Sequence, residues 1–344
     1  MEVNHPVWKD YIKLNMVGSS AFGTVYKAKS KQDDKIVAVK EYSKFQKDGN
    51  EIHENEIANL EILKSNYTIN CIKNCQSDEN YYIIRDYYWG TLEEFVKVHP
   101  KGVPPKEIQK ILLDLSNAFK KLNEKQYIHR DIKPSNILLS LNGKKGYKAI
   151  LSGIHLAKIS TEEISAVRGM RYICPPEGLK GEALNMKYDL WNVGILIYFM
   201  IKGKFPFDGK RDIVVLNQIE KGVNLDISDD IDLKDLLKKT LVENVDQRIS
   251  WDSFFQHPFL KKQFPENKKK KKNGNNKCKQ KIEEIKKDYN DCRVFISSIR
   301  DCSNMMLAYG DKEMDKDYRE NCFKKLMNIY KTIDQIFALK SFNN

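Results

Sequence analysis

The sequence predicts an α+β fold of two lobes, in which a small β-rich lobe is followed by a larger helical lobe. Short runs enriched in β-branched and aromatic residues are confined to residues 11–90, and apolar residues at helical spacing dominate from Pro105 onward. The chain has 344 residues and is 41% hydrophobic, which is enough for one large domain with a substantial core and an extension.

The small lobe is predicted to hold four strands and one helix and to span about residues 11–88. Its strands are predicted at Ile12–Val17, Val25–Ala28, Ile36–Lys40 and Tyr81–Asp86. Its helix is predicted at Asn55–Lys64, where Ile57, Leu60 and Leu63 recur at helical spacing.

The larger lobe is predicted to be mostly helical and to span about residues 89–260. Its helices are predicted at Ile108–Asn123, Asp189–Ile201, Asp212–Glu220, Leu233–Leu241 and Trp251–Phe255. The longest apolar run, Leu190–Ile201, is too short to cross a bilayer and is typical of a buried core helix. Residues Met1–Asp10 contain no apolar segment of the kind that secretory signals carry. We therefore expect neither a transmembrane segment nor a secretory signal.

The end of the chain differs from the two lobes in charge. Of the net charge of +12, residues 261–344 carry +9. Residues 261–277 are predicted to form a basic linker, because the consecutive lysines Lys268–Lys272 repel one another and favour a solvated chain. A nuclear-import signal or a contact with acidic lipids is the alternative. The cysteines form no C-x-x-C pair, which favours a reducing compartment; we expect a cytoplasmic protein, or a nuclear one if the lysines act as an import signal.

Residues 278–340 are predicted to form a helical extension that could fold as a hairpin. Apolar residues follow 3–4 spacing in two sets, Ile282, Ile285, Tyr289, Cys292, Ile296 and Ile299, then Cys322, Leu326, Ile329, Ile333 and Ile336. The extension could stabilise the main domain, or it could serve self-association or docking; the sequence leaves both open. No pattern indicates a specific nucleic-acid partner.

The most informative motif is His129–Asn136, which matches the pattern H-R-D-x-K-x-x-N of a protein kinase catalytic loop. A weaker motif at Gly18–Val25 resembles G-x-G-x-x-G-x-V, with Ser20 in place of the middle glycine. Glycines in such a loop let the backbone come close to phosphate groups. The segment Val37–Lys40 follows at the expected distance as a strand that ends in a lysine.

With these motifs the chain resembles eukaryotic protein kinases over residues 11–260. Pro175–Glu177 stands where these kinases have Ala-Pro-Glu, and Asp189–Gly194 resembles their D-x-W-S-x-G helix start. Arg248 occupies the position of the arginine that pairs with the glutamate of the first of these two elements. The resemblance therefore implies the two-lobed protein kinase fold.

Lys133 indicates the serine/threonine form of the catalytic loop. The closing segment Arg248–Leu260 is most similar to the autophagy-initiating serine/threonine kinases of the Unc-51-like family. Thr91–Val96 and Tyr147–Ile150 also resemble the stress-sensing kinase–endoribonuclease of the endoplasmic reticulum, so the subfamily stays open at this point.

The resemblance also implies roles for individual residues. Asp131 would accept or orient the proton of a substrate hydroxyl, Lys133 would neutralise the transferred phosphoryl group, and Asn136 would bind one metal ion. Lys40 would contact the phosphates of ATP, the expected cofactor, while an ion pair with Glu56 holds it in place; Glu54 is the competing candidate. The remaining predicted nucleotide contacts are Gly18, Gly23, Val25, Ala38 and Leu138.

Three positions depart from the kinase pattern. Gly153 stands where the resemblance places the magnesium-binding aspartate of Asp-Phe-Gly, so a Mg²⁺ cofactor is doubtful. Arg85 replaces the usual apolar residue at the back of the nucleotide site. Arg85 could compete with Lys40 for Glu56, or its side chain could point outward to solvent or face another acid. Met170 replaces the threonine that normally supports the catalytic residues.

Two functions fit this sequence. In the first, the protein is a nucleotide-binding pseudokinase or a weak kinase that acts as a signalling scaffold or switch on a protein partner. In the second, it is an active serine/threonine kinase that phosphorylates a protein substrate with Asp131, Lys133 and Asn136. The missing metal ligand favours the first, and the intact catalytic loop favours the second.

Overall fold

The computed structural model describes residues 6–20, 23–46, 49–88, 90–141, 147–160 and 170–264. The predicted helical extension and most of the predicted basic linker, including Lys268–Lys272, lie outside the described residues. The described residues form a sheet-rich lobe followed by a helical lobe, which confirms the predicted two-lobed α+β fold.

A five-stranded antiparallel sheet in the order β1-β2-β3-β5-β4 forms the small lobe. Its strands are β1 (Tyr11–Ser20), β2 (Gly23–Ser30), β3 (Ile36–Ser43), β4 (Cys71–Gln76) and β5 (Asn80–Asp86). The four predicted strands are present, and β4 is an addition. Half of the residues of β4 are polar, and most of its side chains are exposed at the edge of the sheet, so its sequence shows no strong strand pattern.

Two helices complete the small lobe. Helix α1 (Pro6–Asp10) buries Val7 against one face of the sheet, where Tyr82 and Ile84 contribute to the same apolar cluster. Helix α2 (Gly49–Ile62) begins before the predicted start at Asn55. The prediction missed this first part because it is largely polar and gives no apolar repeat. Ile52 and Leu60 of α2 join the main core together with Tyr42 and Ile83 of the sheet.

The helical lobe contains all five predicted helices and three short ones. Its helices are α3 (Leu92–Lys97), α4 (Pro105–Glu124), α5 (Pro176–Leu179), α6 (Tyr188–Lys202), α7 (Asp212–Glu220), α8 (Ile231–Thr240), α9 (Trp251–Phe255) and α10 (Pro258–Lys261). The unpredicted helices α3, α5 and α10 are too short to show a helical repeat. Helix α6 is buried from Tyr188 to Met200, as its apolar sequence predicts for a core helix.

In the part of the chain that the structure describes, five short strands lie outside the five-stranded sheet. They are β6 (Gly90–Thr91), β7 (Tyr127–Ile128), β8 (Ile137–Leu141), β9 (Tyr147–Leu151) and β10 (Lys158–Ile159). They form two small sheets, in the orders β6-β8-β9 and β10-β7. Strands β8 and β9 pair in antiparallel fashion, which brings the residues after the predicted catalytic loop beside those before Gly153. This pairing assembles the floor of the candidate site.

The predicted partner of Arg248 is in place. Its guanidinium donates to both carboxylate oxygens of Glu177, with Nη1–Oε1 at 2.7 Å and Nη2–Oε2 at 2.9 Å, and both residues are buried. Such a bidentate buried ion pair holds the start of α5 against the loop before α9. Among the described residues no helix combines the length and the apolar character needed to cross a membrane.

Candidate nucleotide-binding and phosphotransfer site

A cavity of about 750 Å³ lies beneath β1, β2 and β3 and above the catalytic loop and β8. Its size falls within the range of sites for small molecules and cofactors. Most of the predicted site residues line it: Gly18, Gly23, Val25, Ala38, Lys40, Asp131, Lys133, Asn136 and Leu138. Gly153, His155 and Met170 line it as well, and Glu56 lies behind Lys40. The tertiary structure therefore gathers the predicted residues around one space.

Gly18 and Ser19 at the end of β1 and Gly23 at the start of β2 line the cavity. Gly23 has a φ of +131°, and a Cβ there would lie 2.5 Å from the carbonyl oxygen of Glu41, so only glycine fits without a shift of the backbone. Gly18, by contrast, has open space around the position of a Cβ, so the fold itself does not require glycine there. Any requirement at Gly18 would come from a bound ligand.

Three predicted apolar residues face the cavity from opposite sides. Val25 and Ala38 lie on the paired strands β2 and β3 above it, while Leu138 lies on β8 below it. A flat aromatic ring between them would be in contact with aliphatic side chains on both faces. This arrangement suits the adenine ring that the kinase resemblance implies.

Glu56 is the centre of a buried cluster of charged and polar groups. Its Oε2 accepts from Lys40 Nζ at 2.7 Å and from the Tyr42 hydroxyl, and its Oε1 accepts from Arg85 Nη1 at 3.3 Å. Glu56 is 1% exposed, Lys40 6% and Arg85 7%. Burial works to raise the pKa of the Glu56 carboxyl, but the nearby charges of Lys40 and Arg85 outweigh it and the pKa lies below its ordinary value.

This geometry resolves the alternatives for Arg85. The side chain is buried on Glu56 and does not extend to solvent. Arg85 and Lys40 share Glu56, because each binds a different oxygen of the same carboxylate. Glu54, the other candidate for pairing with Lys40, is exposed on α2.

The sequence did not predict that Tyr42 belongs to this cluster. Tyr42 lies two residues after Lys40 on β3, so the alternation of side chains along a strand places both on the same face.

The catalytic loop presents Asp131 in a network of donors. Lys133 Nζ lies 2.9 Å from Asp131 Oδ1 and 2.8 Å from Oδ2. Asn136 Nδ2 donates to Asp131 Oδ2 at 2.7 Å and to the Asp131 carbonyl oxygen at 2.8 Å. Burial raises the pKa of Asp131, and the charge of Lys133 opposes that rise. Both carboxylate oxygens are thus engaged within the loop.

Asp189 at the start of α6 holds the backbone of this loop. Its carboxylate accepts from the amide of His129 at 2.7 Å and from the amide of Arg130 at 3.0 Å. Arg130 has a φ of +67°, a conformation that non-glycine residues rarely adopt. His129 Nε2 lies 2.9 Å from the carbonyl oxygen of Ser152, which joins the loop to the residue before Gly153. These contacts keep Asp131 at the floor of the cavity.

Gly153 lies against Asn136. It has a φ of +78°, and a Cβ built there would lie 2.4 Å from Asn136 Nδ2 and 2.6 Å from Cγ. The carboxamide of Asn136 therefore occupies the space in which an aspartate side chain at position 153 would begin. Ile154 is buried in the main core, and His155 is buried as a neutral ring because burial lowers its pKa to about 3.

These residues are a poor match to Mg²⁺. This ion prefers several hard oxygen ligands, mostly carboxylates, phosphates and water. Gly153 has no side-chain oxygen, both oxygens of Asp131 already accept hydrogen bonds, and Asn136 turns its amide nitrogen to Asp131. Within the described ranges there is no group of three or more His, Cys, Asp or Glu side chains that could hold a metal ion.

Asn59 is a second residue that the sequence did not reveal. Its Nδ2 donates to the carbonyl oxygens of Ile154 at 2.8 Å and Ala157 at 2.9 Å. The Nε of Arg130 donates to the intervening carbonyl of Leu156 at 2.6 Å. Asn59 lies three residues after Glu56 on the same side of α2, and that spacing was the available signal. The helix and the catalytic loop together hold the turn that follows Gly153.

Met170 lines the cavity and is 40% exposed. Its sulfur accepts from the hydroxyl of Tyr172, with the two atoms 2.9 Å apart. A thioether is a weak acceptor and has no donor, so it cannot replace the hydroxyl that a threonine would offer to Asp131 and Lys133.

Comparison with known proteins agrees with this geometry. Residues 11–260 match the family described as the protein kinase domain. The chain belongs to this family. It is 31% identical to serine/threonine-protein kinase ULK3 of Xenopus laevis, an alignment that covers 74% of this chain and 56% of ULK3. It is 28% identical to serine/threonine-protein kinase ATG1c of Arabidopsis thaliana, over 73% of this chain and 35% of that protein.

A further relative is serine/threonine-protein kinase 36 of Pongo abelii, which is 28% identical over 73% of this chain and 19% of that protein. The chain thus matches about half or less of the length of these curated relatives. The match is to eukaryotic serine/threonine kinases, and the resemblance to the Unc-51-like kinases is confirmed.

Proposed function

We propose that this protein binds a nucleotide in the cavity described above and transfers its phosphoryl group weakly or not at all. In this proposal it acts as a signalling scaffold or switch on a protein partner. The observation that carries the proposal is the contact of Gly153 with Asn136, in which an amide bonded to Asp131 fills the place of a metal-binding carboxylate.

Nucleotide binding is supported by the parts of the site that are intact. The glycines Gly18 and Gly23, the apolar side chains of Val25, Ala38 and Leu138, and the buried ion pair of Lys40 with Glu56 surround one cavity. Each has the chemistry that a nucleotide needs: glycine backbone that phosphates can approach, apolar surface against the base, and a fixed positive charge.

Weak transfer is supported by the parts that have changed. Phosphoryl transfer depends mainly on positioning and on neutralising the charge of the transferred group, a task that metal ions share with the protein. Removal of one such electrostatic contact costs roughly a hundredfold or more in rate, or about 2.7 kcal/mol. Met170 adds to the loss, because it gives Asp131 and Lys133 no hydroxyl partner.

The alternative is an active serine/threonine kinase. A specific observation favours it: Asp131 is buried at the cavity floor, and Lys133 lies within 2.9 Å of its carboxylate. In this alternative Asp131 orients the substrate hydroxyl, Lys133 neutralises the transferred group, and Asn136 contributes its one amide oxygen.

Phosphotransfer assays separate the two functions. The full chain is incubated with γ-labelled ATP and generic protein substrates, beside the variant Asp131→Ala. We expect incorporation at the same low level in both proteins, together with ATP-dependent thermal stabilisation of both. Incorporation in the wild type far above that of Asp131→Ala would establish the active kinase. Absence of any stabilisation by ATP or ADP would contradict the proposal that the cavity binds a nucleotide.

A further inference from the structure

We propose that the cavity binds its nucleoside di- or triphosphate as the metal-free anion, and that fixed cationic side chains neutralise the phosphates. This inference rests on the proposed nucleotide-binding function and adds to it the ionic form of the ligand. It is drawn from the charges around the phosphate end of the cavity, from the contacts of Asn136 and from the sharing of Glu56.

The cluster of charged side chains around Lys40 and Lys133 carries more positive than negative charge; Asp86 and Glu94 also line the cavity, but they lie outside this cluster, at the end of β5 and on α3. Lys40, Arg85 and Lys133 are cationic, and Glu56 and Asp131 are the carboxylates bonded to them. This leaves one positive charge in excess. An aspartate at position 153 would cancel that excess, whereas Gly153 preserves it.

Because Arg85 also binds Glu56, Glu56 neutralises Lys40 only in part, and Lys40 keeps positive charge that can act on a ligand. A buried lysine with a glutamate to itself forms a neutral pair. Here Glu56 also accepts from Arg85 through its other oxygen and from the Tyr42 hydroxyl. Because the carboxylate serves two cations, it cancels neither of them fully. Lys40 lines the cavity and Arg85 does not, so the uncancelled charge reaches a ligand through Lys40.

The contacts of Asn136 leave little for a divalent cation to bind. Its nitrogen must face Asp131, because the two atoms within 2.8 Å of it there are both acceptors. One neutral oxygen, Oδ1, then remains. Asp131 itself is bonded through both oxygens to Lys133 and Asn136. A metal ion would have to displace these donors from the carboxylate to gain a charged protein ligand.

The ligand that suits this arrangement is the more highly charged one. A nucleotide without a metal ion carries about two more negative charges than its Mg²⁺ complex, and it meets an excess of fixed positive charge. Adding Mg²⁺ lowers the charge of the ligand and brings no new carboxylate contact in return. We therefore expect metal-free ATP and ADP to bind at least as well as their Mg²⁺ complexes.

Calorimetric titration tests this expectation directly. The full chain is titrated with ATP and with ADP, in EDTA and in excess Mg²⁺ at matched ionic strength. We expect the Kd in EDTA to be within about threefold of the Kd in Mg²⁺, or lower. Tightening of about tenfold or more by Mg²⁺ would overturn the inference and leave nucleotide binding standing. Absence of binding in both buffers would overturn the proposed function as well.

The variant Arg85→Met tests the source of the charge. It removes one of the two cations bonded to Glu56, leaves Lys40 and the Tyr42 hydroxyl, and so removes the excess positive charge. We expect it to weaken binding in EDTA roughly three- to tenfold more than binding in Mg²⁺. Lys204→Met, which removes an exposed lysine after α6, serves as the matched control and should change neither Kd. An equal effect of Arg85→Met in both buffers would show that Arg85 acts through shape and not through charge.

Discussion

The substitution Glu56→Gln tests whether one buried carboxylate stabilises two cations. The amide that replaces it keeps the size of the side chain and removes its charge. Lys40 and Arg85, which are 6% and 7% exposed, then lose their shared anion. By contrast, Lys40→Met leaves Glu56 with Arg85 and Tyr42, and Arg85→Met leaves it with Lys40 and Tyr42.

The magnitude follows from this asymmetry. Breaking a buried ion pair so that a charge is left without a partner costs about 3–5 kcal/mol. We expect Glu56→Gln to reach that range. Each methionine variant exchanges a buried cation for an apolar side chain while the carboxylate keeps a partner, so each should stay within about 1 kcal/mol of the wild type. In a domain of this size the loss for Glu56→Gln corresponds to a fall in Tm of roughly 6–20 °C.

The assay is thermal and urea-induced unfolding of the full chain and its variants. Glu54→Gln, an exposed glutamate on the same helix, controls for the loss of one negative charge from α2. The pKa of Glu56 lies below its ordinary value of 4.5, so its contribution is present above about pH 4.5 and is lost as the pH falls through the lower value of the folded state. The gap between the wild type and Glu56→Gln should therefore narrow in acid.

Two results would refute the reasoning. If Lys40→Met destabilised the protein as much as Glu56→Gln, Arg85 and Tyr42 would not compensate the carboxylate. If Glu56→Gln and Glu54→Gln had the same small effect, the cluster around Glu56 would not be buried as described.

Three further predictions concern the rest of the site and the core. His155 has a pKa of about 3 in the folded protein against an ordinary 6.5. The free energy of unfolding should therefore fall by up to ~1.4 kcal/mol per pH unit as the pH is lowered from 6.5. Urea titrations of His155→Gln should show a weaker dependence of this free energy on pH. Gly153→Ala should lower stability more than Gly181→Ala, because Gly181 has a similar φ of +74° but open space around a Cβ. The difference should vanish when Asn136→Ala is added. Equal losses of stability by thermal unfolding would exclude the contact of Gly153 with Asn136. Arg248→Lys cannot form both parallel bonds of its buried pair and should lower stability by about 2–4 kcal/mol, whereas a loss below about 0.5 kcal/mol in urea would contradict that geometry.

The fold could be predicted because its evidence is local. His129–Asn136 and Val37–Lys40 are contiguous motifs whose residue types follow from the chemistry of phosphate and hydroxyl groups. The strands and helices of the core carry clear apolar periodicity, as in α6. The elements that were missed, such as β4 and the short helices, are polar or brief and so have no periodic signal.

The floor of the site could be predicted only in part. The absence of a carboxylate at Gly153 is visible in the sequence. That Asn136 lies across this glycine, and bonds to Asp131, depends on the pairing of β8 with β9 and on the backbone angles of the turn. A sequence records which side chain is missing, but it does not record which neighbour occupies the space.

By itself, the sequence determined the family, the order of the two lobes and most of the residues that line the cavity, because residue types at fixed spacing indicate each of these. Only the tertiary structure decided how Glu56 is shared. The register of β3 with β5 sets Ala38 opposite Arg85, so Arg85, Lys40 and Tyr42 lie on one face of the sheet, towards Glu56. Groups so distant along the chain meet only through strand pairing and helix packing, and their charges then act on one another in a buried space where water cannot screen them.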